Sequence, residues 1–477
     1  MEPQHSNSRP DDFRAFSRCL DGKVRSRHHA EYAGWYYGAA WNGRRFARYP
    51  EYIVRAGSVS DVVKTIGFAR THGLRVSVKG TGHSYSGIFL QNGGILLDLS
   101  LLDHLEIHAE QQIAVAGPGV TSAQLTEALE PHRLAFPTGH GGSVGLSGFL
   151  LGGGLGINCD AWGGMSTFNV EAVDLVTADG RILHADASQN SDCFWAARGG
   201  GPCLFFVVIG FHLKCWPAPR QILARSYRFD PRHIAPVLRA ISERAGDTRL
   251  QVMVALAGGE ELSASLSATA FCDTREDARA LHGELFSLLS AWTGKEIDER
   301  ELRGFQPIYD QAHQVMVSRR YRTDNIMTDD VESASRTLLS VFGDRPSPVT
   351  FSLLIPRPAH AYPDAAFSVR GKFFVSTYAQ WNDESDDMRN RDWLAALYDE
   401  LSIRSTGHYI NEVDLEGRPG AVPRCFSGGA WKRLQSLRRR HDSEGVIPGV
   451  AHDATGPSDW IATKDGATLL ESPVGHA

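Results

Sequence analysis

The chain has no run of eighteen apolar residues, and its opening stretch, MEPQHSNSRPDDFRAFSR, holds no apolar core of signal-peptide length. Neither a membrane span nor a secretory leader is expected. The seven cysteines (Cys19, Cys159, Cys193, Cys203, Cys215, Cys272 and Cys425) form no CxxC pair, and their odd number argues against a full disulfide framework. Cytoplasmic residence is the default expectation. Basic residues are not in excess: Lys+Arg 49 against Asp+Glu 55 gives −6, which provides no general attraction for nucleic acid or an anionic membrane. His28 and His29 are the one adjacent histidine pair, with no acidic or cysteine ligand at metal-site spacing beside them. They read as a solvated helix surface, and no metal site is expected.

Glycine, in contrast, is plentiful, with 48 among 477 residues, and it is clustered rather than periodic. The length implies two or three domains. One cluster follows the apolar-alternating run of Val76–Gly87, VSVKGTGHSYSG. A glycine loop after a strand lets backbone N–H groups approach an anion closely, because no Cβ intervenes. His83 inside that loop is either a polar turn residue or a group held for chemistry. The elements before it read as a strand over Tyr52–Arg55, a helix from Ser58 to Arg70 with Ser60 as N-cap, and a strand over Leu74–Val78. After it come strands at Ile95–Leu99 and Gln112–Ala116, then a capping box, Thr121-Ser-Ala-Gln124, opening a helix to about Leu129.

The second cluster is Phe136–Gly156, FPTGHGGSVGLSGFLLGGGLG. So much glycine costs conformational entropy, and close backbone approach to a large ligand is the natural reason for it. Gly152–Gly156 does not fit a nicotinamide fingerprint, which needs G-x-G-x-x-G in a strand–turn–helix unit. A hairpin follows (Val170–Thr177, turn at Ala178–Gly180, Arg181–Ala185), then a helical turn at Cys193–Arg198 and a buried strand at Leu204–Leu213. Trp216-Pro-Ala-Pro219 marks a domain boundary. Residues 220–404 alternate helices (Pro231–Gly246, Asp273–Thr293, Asp329–Phe342) with strands (Gln251–Ala257, Leu262–Phe271, Val349–Ile355, Phe373–Ala379). That pattern predicts an antiparallel sheet covered on one face by helices. A last helix, Ala430–Arg440, turns Ala430, Leu434 and Leu437 to one face. Its basic cluster (Lys432, Arg433, Arg438, Arg439, Arg440) reads as a solvated face, and the tail after Asp453 as loosely held.

In this order the motifs RYPEYIV…SDVVKTIGFAR, VKGTGHSYSG, GGSVGLSGFLLGGGLG, VEAVDLVTADGRIL, DCFWAARGGGP and GHYIN…WKRLQSLRRRHDSEG resemble the flavin-linked oxidases of the vanillyl-alcohol-oxidase and p-cresol-methylhydroxylase superfamily, and within it the berberine-bridge-enzyme-like family. The likeness runs from about Arg48 to Ile447. It implies an α+β fold: a two-lobed FAD-binding domain (residues 1–218), a substrate domain with an antiparallel sheet covered by helices (219–404), and a segment returning to the FAD domain (405–477).

The resemblance also implies site residues. FAD would be wrapped by Lys79, Gly80, Thr81, Gly82, Ser84 and Gly87 in the first loop. Gly139, Gly141, Ser143, Val144, Gly145, Gly148, Gly153, Gly154 and Gly156 serve in the second, with Val208 and Asn411 completing the set. His83 would bond the 8α-methyl of the flavin. Many relatives add a cysteine three residues before the valine of the second block, but Gly141 stands there, so His83 is expected to be the only tether. Cys159 is taken as structural. Phe206 replaces a glycine common in relatives.

Tyr409, in the pattern Tyr409-Ile-Asn411, matches a family active-site tyrosine, and Tyr85 matches a second position that lines the substrate side. A phenol acting as base would need a pKa below its ordinary value near 10. Strand alternation puts Ser376, Tyr378 and Gln380 on one face, which the resemblance implies is the substrate wall, and Arg370 ends a matching Phe-x-x-Arg element whose middle residues, Ser368 and Val369, differ. Val144, a small residue, accompanies O2 access in relatives. The sum is an FAD oxidase acting on an alcohol group of a sugar, a hydroxylated metabolite or an aromatic alcohol, with H2O2 as product. Amine or C–C-forming oxidation, or dehydrogenation with another acceptor, stand as alternatives. The expected partners are a small-molecule substrate and O2.

Overall fold

A computed structural model describes residues 10–243, 247–258 and 261–450. The tail after Asp453 and the end of the 231–246 helix lie outside the described residues. The architecture is α+β.

The strand Val76–Lys79, which feeds the His83 loop, is one edge of a four-stranded sheet. Tyr52–Arg55 and Val76–Lys79 both pair in parallel with the central strand Ile95–Asp98, and Lys23–Ser26 adds an antiparallel edge. The helix Val59–Thr71 links the first two strands. It buries Val62, Ile66 and Ala69 against Val54, Val76 and Leu97. Its N-cap is Ser58 rather than Ser60: Ser58 is the last extended residue, and its hydroxyl accepts from the Asp61 N–H, whereas Ser60 is already helical.

Five antiparallel strands form the second sheet, in the order Leu105–His108, Ile113–Ala116, Phe206–Lys214, Val170–Thr177, Ile182–Asp186. The capping box at Thr121 and Gln124 is formed, opening the helix Ser122–Leu129. Trp216–Pro217 pairs with Leu134–Ala135 in a two-stranded ladder. The helix Gly428–His441 returns to this sheet, burying Ala430, Leu434 and Leu437 in one core with Phe205, Phe211 and Leu213. Its basic side is not wholly solvated: Arg438 is buried and donates to the carbonyls of Cys203, Leu204 and Ile447. These carbonyls precede and follow regular structure, and the guanidinium supplies the donors they lack. His28 and His29 lie exposed in a turn, not on a helix.

The third sheet has seven antiparallel strands, ordered Thr293–Leu302, Gln221–Phe229, Ser263–Cys272, Leu250–Ala257, Phe351–Pro356, Phe373–Trp381, Arg320–Thr328. The helices Ile234–Glu243, Arg275–Leu289, Val331–Val341 and Asp387–Leu401 share one apolar core with it. Arg320–Thr328 (RYRTDNIMT) escapes apolar-pattern reading because it is buried throughout yet mostly polar. Its charges are met from outside the sheet: Arg320 by Asp387, Arg322 by Asp414, Asp324 by Arg418. Buried charges persist only when so paired. No helix among the described residues is long and apolar enough to cross a membrane.

Candidate active site

The two glycine loops and the open face of the seven-stranded sheet enclose one cavity of about 1590 Å³. Residues 79–85, Gly139, Gly141, Ser143, Val144, Gly145, Gly148, Val208, Tyr378, Tyr409 and Asn411 all line it. Glycine is required locally at Gly82, where φ is +88° and a Cβ would strike the Ala39 carbonyl. Gly148 faces open space and Gly141 meets only Val144, so their missing side chains leave room on the cavity side.

Other glycines serve the protein's own packing. Gly87, Gly153, Gly154 and Gly156 do not reach the cavity wall: they back onto Phe46, Phe367, Phe149 and the Pro137 carbonyl respectively. Ligand approach therefore accounts for only part of the glycine density. Lys79 lines the cavity, but its ammonium is spent on Asp98 at 2.9 Å, so it offers little free charge to an anion.

His83 stacks on Trp41, with ring centroids 5.0 Å apart. Burial lowers its pKa to about 4, so at neutral pH the imidazole is uncharged and keeps a nucleophilic lone pair. Trp41 also stacks on Tyr321 and meets the edge of Tyr85. Asn42 fastens the group by donating to the carbonyls of Tyr85 and Tyr321 and accepting the Tyr321 N–H. His140, in the second loop, is likewise held near pKa 4 by burial.

Across the cavity stands a residue the sequence reading passed over, Glu412. Ser376 Oγ (2.7 Å) and Tyr378 OH (2.8 Å) both donate to its Oε2. Oε1 has no hydrogen bond among the described residues. Glu412 is partly exposed and lines the cavity. Burial raises its pKa, against the pull of the two hydroxyls. Tyr85 packs edge-on to Tyr378 at 6.1 Å, and Phe351 stacks on Tyr378 at 4.9 Å. The available sequence signal was an acidic residue directly after Tyr409-Ile-Asn411.

Tyr409 is 2% exposed. Its hydroxyl accepts from the N–H groups of Gly154 (3.1 Å) and Leu155 (3.3 Å) and from Asn411 Nδ2 (3.0 Å). Asn411 also donates to the Phe149 carbonyl, tying the second glycine block to the C-terminal segment. The lowered pKa that a tyrosine base needs is absent: burial, with the nearby Glu412 carboxyl, raises the Tyr409 phenol despite those three donors. Burial raises Tyr85 and Tyr378 in the same direction.

Gln380 does not reach the cavity. Its amide donates to the carbonyls of Val315 and Val349 and accepts from the Val317 N–H, so it fastens the segments beside the sheet. Arg370 is exposed, covers Tyr362 and donates to the His360 carbonyl. Cys159 is buried beside Arg357 and pushed up to about 12 by burial. Phe206 is buried edge-on to Phe205, where its ring joins the wall of the cavity.

Residues 50–186 match the family described as FAD binding domain. The FAD-linked oxidoreductase nodO of Hypoxylon pulicicidum is 28% identical over 419 residues, covering 86% of this chain and 92% of its own. The chain is an FAD-linked oxidoreductase. This oxidoreductase is also similar to the (R)-6-hydroxynicotine oxidase of Paenarthrobacter nicotinovorans, at 34% identity over 206 residues, 43% of each chain. Its fold is shared with the G164A variant of berberine bridge enzyme, a reticuline dehydrogenase, with a TM-score of 0.78 at 19% identity over 91% of this chain and 96% of that one. The residues present suit FAD. The cavity is long enough to be walled by both glycine loops, Gly141 and Gly148 leave backbone open on its side, and a neutral imidazole stands within it.

Proposed function

We propose that this oxidoreductase is an oxidase of CH–OH groups on a small, ring-bearing molecule, with FAD tethered through His83 alone. FAD, when bound, supplies the two-electron acceptor, and O2 disposes of the electrons as H2O2. The observation that carries the reading is the placement of Glu412, held by Tyr378 and Ser376, in the same cavity as the neutral His83.

In this reading Glu412 Oε1 takes the proton of the substrate hydroxyl. Burial raises that carboxyl above its ordinary range, which makes it a stronger base than a surface glutamate. Tyr85, Tyr378, Phe351 and Trp41 present aromatic walls that position a ring. Tyr409 and Asn411 anchor the second glycine block. Gly141 offers no thiol for a second tether, and the small Val144 leaves room for O2. The proposed division of labour is an FAD-binding part (1–218), a substrate part (219–404) and a returning segment from 405.

Purification, an absorption spectrum, acid precipitation and a peroxide assay across sugars, alcohols and amines test the proposal. Yellow colour stays with the precipitated protein and is lost to the supernatant in His83→Ala; colour released from the wild type removes the tether. Oxidation that occurs only with an artificial acceptor, without peroxide, makes the protein a dehydrogenase instead. Amine oxidation is the second reading. It is favoured by the likeness to the hydroxynicotine oxidase and by a Glu412 carboxyl whose hydrogen bonds come from hydroxyls and not from a cation.

A further inference from the structure

Away from the cavity, three potential metal ligands project from three adjacent strands of the five-stranded sheet. Asp174 on Val170–Thr177 pairs directly with His184 on Ile182–Asp186. On its other side, a bulge in Phe206–Lys214 places Gly210 opposite Asp174 and brings His212 beside it. A Cβ at position 210 would stand 3.1 Å from Asp174 Oδ2, so the glycine leaves the carboxylate its space. His184 Nδ1 lies 2.7 Å from Asp174 Oδ1, and His212 Nε2 lies 2.9 Å from Oδ2. The two imidazole rings are 5.2 Å apart and nearly perpendicular, at 86°. One ligand atom from each of the three residues lies within 4.8 Å of the others.

We propose that Asp174, His184 and His212 form a binding site for a divalent transition metal of the Zn²⁺, Ni²⁺ or Cu²⁺ class. Two imidazoles and one carboxylate are the donor set that such borderline cations prefer over Mg²⁺ or Ca²⁺. Metal–ligand bonds of about 2.0–2.2 Å put neighbouring donor atoms about 3 Å apart at right angles and about 3.4 Å apart at the tetrahedral angle that zinc favours. The two N···O separations already lie close to the former. Seating a metal thus needs side-chain rotations that bring the two imidazole nitrogens and one carboxylate oxygen, now within 4.8 Å of one another, onto one point. All three side chains are partly exposed, which leaves open positions for water. Asp186 stands 3.7 Å from His184 Nε2, where it can orient the ring as an outer partner. With ligands from three strands, a bound metal cross-links the sheet and favours the folded chain by mass action.

The bland alternative is a metal-free His–Asp–His hydrogen-bonded staple, and the two differ in what they bind. The test uses the full-length, flavin-containing protein without an affinity tag, carrying His28→Ala and His29→Ala to remove the exposed histidine pair, and first stripped with a chelator. ZnCl₂ and NiCl₂ are titrated by calorimetry, with MgCl₂ as the hard-cation control. The expected result is one Zn²⁺ per chain, proton release on binding, a rise in melting temperature and no response to Mg²⁺. Cu²⁺ electron paramagnetic resonance should show coupling to two imidazole nitrogens. His184→Gln and His212→Gln, which keep a polar group beside Asp174, should each weaken Zn²⁺ binding tenfold or more and leave the flavin spectrum unchanged. Absence of saturable one-to-one binding, binding unaltered in both variants, or equal competition by Mg²⁺ overturns the proposal. Should either variant misfold, the nitrogen coupling in the parent protein decides the matter: fewer than two nitrogens overturns it.

Discussion

Glu412 concentrates the residue-scale argument, because its environment sets stability against reactivity. Burial raises its folded pKa above the unfolded value. Its contribution to stability is therefore full below the ordinary carboxyl range and is lost as pH rises through the folded pKa. Glu412→Gln keeps the shape and the hydroxyl partners without the ionisation. The expected outcome is a melting temperature equal to wild type in acid and increasingly above it as pH rises, read by thermal scans over a pH series. Substrate turnover should fall about 10²–10⁴-fold, the usual loss when a general base is removed. An unchanged rate returns the proton to another group. Tyr378→Phe removes one donor to Oε2; it should raise the carboxyl pKa further and shift the alkaline rise of the rate to higher pH.

At the scale of elements, the polar strand Arg320–Thr328 is held by partners from the C-terminal segment. Asp324 is buried and sits at a pKa of about 7, raised by burial and only partly offset by Arg418 at 2.6 Å. Arg418→Met removes that partner and leaves a buried carboxylate without its counter-ion. The loss should be about 3–5 kcal/mol while Asp324 is charged, and it should shrink as pH falls and the carboxyl takes up a proton. Urea unfolding on either side of neutral pH checks both the size and the sign. The turn at Gly152 is a second such joint. A Cβ there would collide with the Asn411 side chain. Gly152→Ala should therefore displace Asn411 from Phe149 and Tyr409 and lower the flavin bound per chain, read from the ratio of visible to protein absorbance.

At the scale of the whole molecule, the cavity lies where the two glycine loops meet the seven-stranded sheet and the segment 409–415. A ligand filling that space touches every part at once. His83→Ala stripped of flavin should melt at a lower temperature, and added FAD should restore it by about 2.7 kcal/mol when present at a hundredfold excess over its dissociation constant. Restoration in this variant would show that the cavity walls supply the fit for FAD and that the proposed His83 tether serves to retain it.

The sequence by itself determined the α+β fold, the two glycine loops, the hairpin turn at Ala178–Gly180, the capping box at Thr121 and the membership of an FAD-linked family. Each of these is written in short-range spacing or in several motifs kept in order. Only the tertiary structure decided which glycines face the cavity and which face the protein, because Gly148 and Gly154 read alike until their neighbours are known. It also decided the fate of three side chains. Gln380 shares a strand face with Tyr378 yet is consumed by the backbone of Val315 and Val349. Tyr409 is buried under three N–H donors. Glu412 becomes chemically special only because Ser376 and Tyr378, over thirty positions away, bring hydroxyls to one of its oxygens. A pKa is set by what lies within a few ångströms in space, and the sequence order of this chain does not carry that distance.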